Sequence, residues 1–202
     1  MFTGLIREFA KVEKFENSIL TLNAKHKPKL GDSIAVNGVC LTAVEVLQNS
    51  FSVEVSSETS SIMACENLKD LVHIEPAMKL NDRIEGHIVQ GHIDCTGSIK
   101  KISKNSNALD MFIEVPEKFL KFIVPKGSIT VDGVSLTINE VLFSEFRLTI
   151  ISHTLQNTLF SSYGVGRRVN IETDMFARYI YHMFKRDKSL SWEKVDSIMA
   201  LY

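Results

Sequence analysis

The chain has 202 residues, with 23 Lys and Arg against 24 Asp and Glu, for a formal net charge of -1. Hydrophobic residues make up 45% and charged residues 23%, which fits one or two packed domains and excludes intrinsic disorder. The near-zero charge argues against nucleic acid as a partner, and no run of about 18 apolar residues points to a membrane helix.

The N-terminus, Met1-Phe2-Thr3-Gly4-Leu5-Ile6-Arg7, shows no basic stretch followed by an apolar one, so no signal peptide is expected. Cys40, Cys65 and Cys95 are sparse and odd in number, which reads as free thiols in a reducing cytoplasm. Asn37-Gly38 lies between apolar, β-branched residues and tolerates the positive φ of a type I′ hairpin turn. Phe51–Val55 alternates as a strand, and Glu66–Leu71 predicts a short helical cap. The same series returns as Asp132-Gly133, Phe146–Ile150 and Asn157–Ser162. The tail changes period: Phe176, Tyr179, Ile180, Met183 and Phe184 share one face of a helix. Ser191 can cap a second helix whose face is Val195, Ile198, Met199 and Tyr202. So apolar a tail packs either on its own barrels or in a subunit interface.

The return is a duplication. Residues 33–42 and 128–137 agree at seven of ten positions, at an offset of 95. Ser57-Glu58-Thr59 falls on Ser152-His153-Thr154 at the same offset. Val72-His73-Ile74-Glu75 falls on Val169-Asn170-Ile171-Glu172 at 97, and Gly4-Leu5-Ile6 on Gly91-His92-Ile93 at 87. The unit is the size of a small domain, too long for a solenoid repeat. Six or so short strands per unit suggest a small closed barrel, which leaves no exposed edge.

These segments resemble the riboflavin synthase family. Met1-Phe-Thr-Gly4, the two Asn/Asp-Gly-Val-Cys/Ser-Leu-Thr hairpins, Gly86-His-Ile-Val-Gln-Gly-His-Ile-Asp94 and His153-Thr-Leu155 stand in family order over residues 1 to about 180. The resemblance implies a mostly β protein: two tandem, similar six-stranded Greek-key barrels plus a C-terminal helix that joins three subunits into a homotrimer. The implied boundaries are a lumazine-binding barrel over 1–87, a second over 88–175 and an oligomerisation segment over 176–202. The implied reaction is the dismutation of two 6,7-dimethyl-8-ribityllumazine molecules to riboflavin and 5-amino-6-ribitylaminouracil, by transfer of a four-carbon unit. No cofactor or metal is expected, because both carbon fragments come from one compound. The site is expected where the N-terminal barrel of one subunit meets the C-terminal barrel of another.

Carried over by position, the N-barrel pocket is Gly4, Leu5, Ile6, Cys40, Leu41, Thr42 and the stretch Glu54, Val55, Ser56, Ser57, Glu58 and Thr59. The C-barrel pocket is Gly91, His92, Ile93, Ser135, Leu136, Thr137 and the stretch Thr149, Ile150, Ile151, Ser152, His153 and Thr154. Lys126 resembles a family lysine that reaches a neighbouring subunit's ligand. The ribityl hydroxyls suit Ser57, Glu58, Ser152, His153 and the threonines. Three features depart from the family: residues 60–66, Glu85 before Gly86-His87, and His153 where some members have Glu.

The chemistry needs a nucleophile at C7 of the donor, a base for the C7 methyl of the acceptor, and both rings held together. Proton transfer suits a histidine, and His92 is the first choice, with a backbone-bonded structural role as its alternative. His87 reads as structural. Cys40 and Ser135 can activate water, add to C7 or simply bind the ring, and Cys40 is equally well read as a small buried apolar residue. Because Ser135 is placed in one barrel with His92, Ser135→Ala is expected to slow turnover more than Cys40→Ala. Asp132 suits its turn or orients a base, and Lys126 suits solvent. His87, His92 and Cys95 match no zinc spacing. A binding-only relative would be expected to lose pocket residues in one repeat, yet both repeats keep theirs. A flavin-dependent reductase would need a nicotinamide domain with a glycine-rich turn, and none is present within the 202 residues.

Overall fold

The computed structural model describes residues 1–104 and 108–186. The first six strands are β1 (Glu8–Glu16), β2 (Ile19–Asn23), β3 (Ser33–Val36), β4 (Val39–Val46), β5 (Ser50–Glu54) and β6 (Leu71–Pro76). The next six are β7 (Cys95–Lys104), β8 (Ala108–Glu114), β9 (Ser128–Val131), β10 (Val134–Val141), β11 (Glu145–Ile151) and β12 (Arg168–Thr173). The helices are α1 (Ser57–Ile62), α2 (Glu117–Leu120), α3 (Ser152–Gln156) and α4 (Met175–Arg186).

Each set of strands closes into an antiparallel barrel. The order is β1-β2-β5-β4-β3-β6, with β6 pairing β1, and then β7-β8-β11-β10-β9-β12, with β12 pairing β7. The expected two six-stranded barrels are therefore present. Register shifts interrupt β1 at Val12/Lys14 and β7 at Ile99/Lys101, and again β4 at Ala43/Glu45 and β10 at Ile138/Glu140. These are equivalent places in the two repeats. A bulge adds local twist and bend, which so small a barrel needs in order to close.

Asn37 and Gly38 have φ of 44° and 80°, and Asp132 and Gly133 have 45° and 83°, so both hairpins turn through the left-handed region as their sequences require. Leu20, Leu22, Val53 and Ile74 help fill the first barrel; Ile99, Met111, Phe146 and Leu148 help fill the second. Each such side chain contributes about 1.5–3 kcal/mol on burial. β11 alternates inward and outward as expected, but β5 buries three residues in a row, because Ser52 hydrogen-bonds with the Thr21 hydroxyl and donates to the Glu45 carboxylate on the neighbouring strands. The predicted caps also shift. The first is a 3-10 turn over Cys65–Asn67 preceded by α1, with Leu71 already in β6; the second is a 3-10 turn over Leu159–Ser162 preceded by α3.

The barrels meet across an internal pseudo-twofold axis. A Cβ on Gly38 would lie 2.5 Å from the Gly133 nitrogen, and one on Gly133 would lie 2.7 Å from the Gly38 nitrogen, so the two turns abut. Phe2 and Val89 form a two-way bridge on the same axis. Around it, the second repeat's Asn170 donates from Nδ2 to the Asn37 carbonyl and accepts the Ala64 amide. His73 does the same in the first repeat. Its Nε2 accepts the Leu159 amide, which leaves the proton on Nδ1 to donate to the Asp132 carbonyl. Burial pushes the His73 pKa down to about 4, so the imidazole stays neutral and replaces an amide.

Helix α4 bears the predicted face. Phe176, Tyr179, Ile180, Met183 and Phe184 are 55–70% exposed, while Arg178 and Tyr181 turn toward the second barrel. The predicted second tail helix, with Ser191, Val195, Ile198, Met199 and Tyr202, lies outside the described residues. No helix among the described residues is long and apolar enough to cross a membrane.

Candidate functional site

Two short straps carry the site. The segment ahead of β1 crosses to the second barrel, and the segment ahead of β7 crosses to the first. Gly4 has φ +76°, and its carbonyl accepts the Ser135 amide at 2.7 Å. A Cβ there would lie 2.6 Å from the Cβ of Ser135. Gly91 has φ +77°, its carbonyl accepts the Cys40 amide at 2.8 Å, and a Cβ would lie 2.6 Å from the Cβ of Cys40. Only glycine combines that backbone with so close an approach. Ile6 packs on the core of the second barrel and Ile93 on that of the first.

This exchange corrects the pairing expected from chain order. Gly4, Leu5 and Ile6 belong with Ser135; Gly91, His92 and Ile93 belong with Cys40. Ser135 therefore does not share a barrel site with His92, and the expectation that Ser135→Ala outweighs Cys40→Ala loses its basis. Strap and barrel are joined by contacts far apart in sequence, so neighbours in the chain are not neighbours in the site.

Each strap is hung on a buried carboxylate. Glu75 of β6 accepts the Thr3 amide and hydroxyl on Oε1, both at 2.8 Å, and the Gly4 amide on Oε2 at 3.0 Å. Glu172 of β12 accepts the amides of Gln90, Gly91 and His92 at 2.8, 2.8 and 3.1 Å. Burial raises the pKa of both carboxyls, and the converging amides oppose that rise. The two glutamates end the matched Val-x-Ile-Glu segments, a repeat signal that could have found them.

The pocket on the second barrel is a cavity of about 380 Å³ lined by Gly4, Leu5, Ile6, Arg7, Glu85, Val134, Ser135, His153, Thr154, Asn157 and Thr158. Nδ1 of His87 lies 2.8 Å from Oγ of Ser135. Burial lowers the His87 pKa, partly opposed by Asp174, which favours a neutral ring able to accept the hydroxyl proton. His87, read from the sequence as structural, is thus placed beside a predicted site residue, and nothing local in its sequence marks that partner. By the repeat offsets, the positions on the first barrel equivalent to Leu5, Ser135 and His153 are His92, Cys40 and Glu58. The two pockets therefore share a frame and differ in chemistry.

The remaining expected site residues divide by environment. Leu41, Val55 and Ile150 are buried in the barrel cores, so their side chains serve packing, and Leu136 packs partly against its core. Ser56 caps α1 by accepting the Thr59 amide, and Ser57 and Glu58 follow it on exposed turns of that helix. Thr42, Glu54, Thr137 and Ile151 are exposed. Thr149 donates to Oδ1 of Asp110 at 2.6 Å, and Ser152 opens α3 ahead of His153 and Thr154. Exposed Lys126 has φ +64°, at the place where the first repeat uses Gly31 at +86°. A lysine there costs roughly 1–2 kcal/mol of backbone strain. Cys95 lies in the second barrel's core, its thiol pushed up to about 12 by burial, and is no partner for His87 and His92. Among the described residues no group of three or more His, Cys, Asp or Glu stands where it could hold a metal ion.

The lumazine binding domain family matches residues 3–77 and again 90–174. The riboflavin synthase of Photobacterium phosphoreum is 41% identical over 199 residues, covering 93% of this chain and 91% of that protein. The riboflavin synthase of Bacillus subtilis (strain 168) is 39% identical over 195 residues, covering 92% and 91%. Among solved structures, LumP complexed with riboflavin has a TM-score of 0.77 at 18% identity, covering 86% of this chain and 100% of that one, a likeness of fold.

Proposed function

Since the chain belongs to the riboflavin synthase family, we propose that each of its two pockets takes one 6,7-dimethyl-8-ribityllumazine and that their residues divide the chemistry. The activity is the dismutation of that compound: a donor gives a four-carbon unit to an acceptor, forming riboflavin and 5-amino-6-ribitylaminouracil. The duplicated pocket frame carries the reading, because the reaction consumes two copies of one ligand. The transfer is redox-balanced within the pair of substrates and asks for no added cofactor.

In the first pocket, Cys40 binds or adds to the ring and His92, on the strap directly above it, moves the proton. In the second, Ser135 does the former, with its hydroxyl held by His87, while His153 and Thr154 take ribityl hydroxyls. Lys126 reaches toward a ligand of another subunit. The functional units are 1–87 and 88–175, one lumazine each, and 176–202 for self-association. The uncovered face of α4 supports a homotrimer in which the first pocket of one subunit meets the second pocket of the next. Such an arrangement converts a collision of two ligands into a near-intramolecular step. The free thiols fit a cytoplasmic setting.

The test is direct. Purified protein incubated with 6,7-dimethyl-8-ribityllumazine and a chelator, with nothing else added, is expected to release one riboflavin per two lumazines consumed. Binding without riboflavin formation, or a requirement for a nicotinamide or metal, overturns the reading.

A further inference from the structure

Arg178, on the inner side of α4, reaches back to the strap of the first pocket. Its Nη1 donates to Oδ1 of Asp94 at 2.7 Å, and its Nη2 donates to the side-chain oxygen of Gln90 at 2.7 Å. Nη2 also lies 3.8 Å from Oε1 of Glu172, the carboxylate on which the strap hangs. The guanidinium and the Asp94 side chain are only 23% and 12% exposed, so solvent screens them little. Asp94 is itself fixed, because its Oδ2 accepts the amide and hydroxyl of Thr173 at 2.7 and 2.6 Å. One planar fork therefore ties together the two ends of the five-residue turn from Gln90 to Asp94, with Gly91 and His92 between them.

The strap on the other pocket is built differently. Glu75 holds Thr3 and Gly4 as Glu172 holds Gln90 and Gly91. Yet the position equivalent to Asp94 is Arg7, and among the described residues no side chain of a helix bridges Thr3 and Arg7. Among the described residues the clamp thus belongs to one pocket, and it is carried by the helix whose opposite face is apolar and exposed.

We propose that Arg178 is a positioning residue that couples α4 to the first pocket, holding the Gly91-His92 turn down on Cys40. The proposal rests on the reading of Cys40 and His92 as a lumazine pocket. Whatever covers the outer face of α4 fixes the helix, and the fixed helix holds the turn. Loss of the clamp frees the turn to lift and uncovers Cys40, while the Ser135 pocket keeps its strap.

The experiment compares the full-length chain with Arg178→Gln and Arg178→Lys. The first readout is the rate of iodoacetamide alkylation at Cys40, followed peptide by peptide by mass spectrometry. The second is kcat and KM for riboflavin formation from the lumazine, with sedimentation and thermal unfolding alongside. Arg178→Gln is expected to raise Cys40 alkylation about tenfold over Cys65 and Cys95 and to lower kcat/KM about tenfold, with assembly and melting unchanged. Arg178→Lys keeps one charge contact but cannot bridge both partners, and is expected to fall between. Asp94→Asn opens the same clamp from the other side and is expected to reproduce the alkylation change. Wild-type alkylation in both Arg178→Gln and Asp94→Asn overturns the proposal, as does an equal loosening around Ser135. Loss of assembly or of the folded barrels in both variants also overturns it, since the contact would then be structural at large. If the wild-type chain forms no riboflavin, the functional reading fails, and the alkylation comparison still decides whether Arg178 holds the strap.

Discussion

Replacing Gly4 by alanine tests the exchange of straps, because the residue precedes the first barrel in sequence yet touches the second. At φ +76° an alanine costs roughly 1–2 kcal/mol. Its Cβ would also sit 2.6 Å from Cβ and 2.9 Å from the amide nitrogen of Ser135, and part of that contact is backbone that cannot swing aside. Overpacking of this kind costs about 1–3 kcal/mol. The sum, about 2–5 kcal/mol, is a large share of a domain's stability of about 5–15 kcal/mol. The clash forces strap and barrel apart, and the Ser135 amide loses its 2.7 Å bond to the Gly4 carbonyl. A local opening made easier by 2 kcal/mol speeds amide exchange about thirtyfold. Hydrogen exchange on peptides containing Ser135 and Cys40 separates the two barrels. Gly4→Ala is expected to accelerate exchange at Ser135 and leave Cys40 unchanged; Gly91→Ala is expected to do the reverse. Acceleration at Cys40 in Gly4→Ala, or no change at either amide, refutes the crossed arrangement.

Three further outcomes follow from the same geometry. His73, held at about 4 against an ordinary 6.5, lets the unfolded chain bind a proton that the native state refuses, so its contribution is complete above 6.5 and is lost as pH falls toward 4, about 3 kcal/mol in all. Asp132, raised to about 6 from 3.8 by burial, contributes with the opposite sign, its share present below 3.8 and lost as pH rises through 6. Denaturant titrations of wild type and His73→Asn cancel most of the Asp132 slope, and the stability difference between them is expected to shrink by about 3 kcal/mol between about pH 7 and pH 4. In turnover, Cys40→Ala with His92→Ala, and Ser135→Ala with His87→Ala, are each expected to lose less than the sum of the single effects, whereas Cys40→Ala with Ser135→Ala is expected to be additive within about 0.5 kcal/mol; additivity within both pocket pairs would break the assignment. Phe176→Ser with Phe184→Ser removes two side chains that are 55% and 70% exposed, so the barrels are expected to stay folded while sedimentation shows smaller species and turnover falls tenfold or more.

The duplication, the barrels and the hairpins were legible because they rest on local chemistry repeated at a fixed offset. Asn37-Gly38 and Asp132-Gly133 demand the same turn wherever they stand, and strand periodicity follows from which face is buried. The exposed stripe on α4 was legible for the same reason, as a period within one helix. The helices α1 and α3 were not, since five- and six-residue turns carry little periodic signal and are held by Ser56 and by the strands they follow.

Membership of the two pockets was beyond the sequence. Chain order places Gly4 with the first barrel and Gly91 with the second, and the match between repeats makes either pairing equally consistent. Tertiary structure decided it through contacts that no local pattern encodes: the Ser135 amide on the Gly4 carbonyl, the Cys40 amide on the Gly91 carbonyl, and Ile6 and Ile93 each packed on the opposite core. Glu75 and Glu172 were visible as a repeated residue, but their task was not, because a carboxylate's role depends on which amides converge on it after folding. The sequence by itself determined two copies of one barrel, since local turn and strand preferences act within each copy. Which strap closes which pocket was settled only when two buried carboxylates and two left-handed glycines found partners more than fifty residues away.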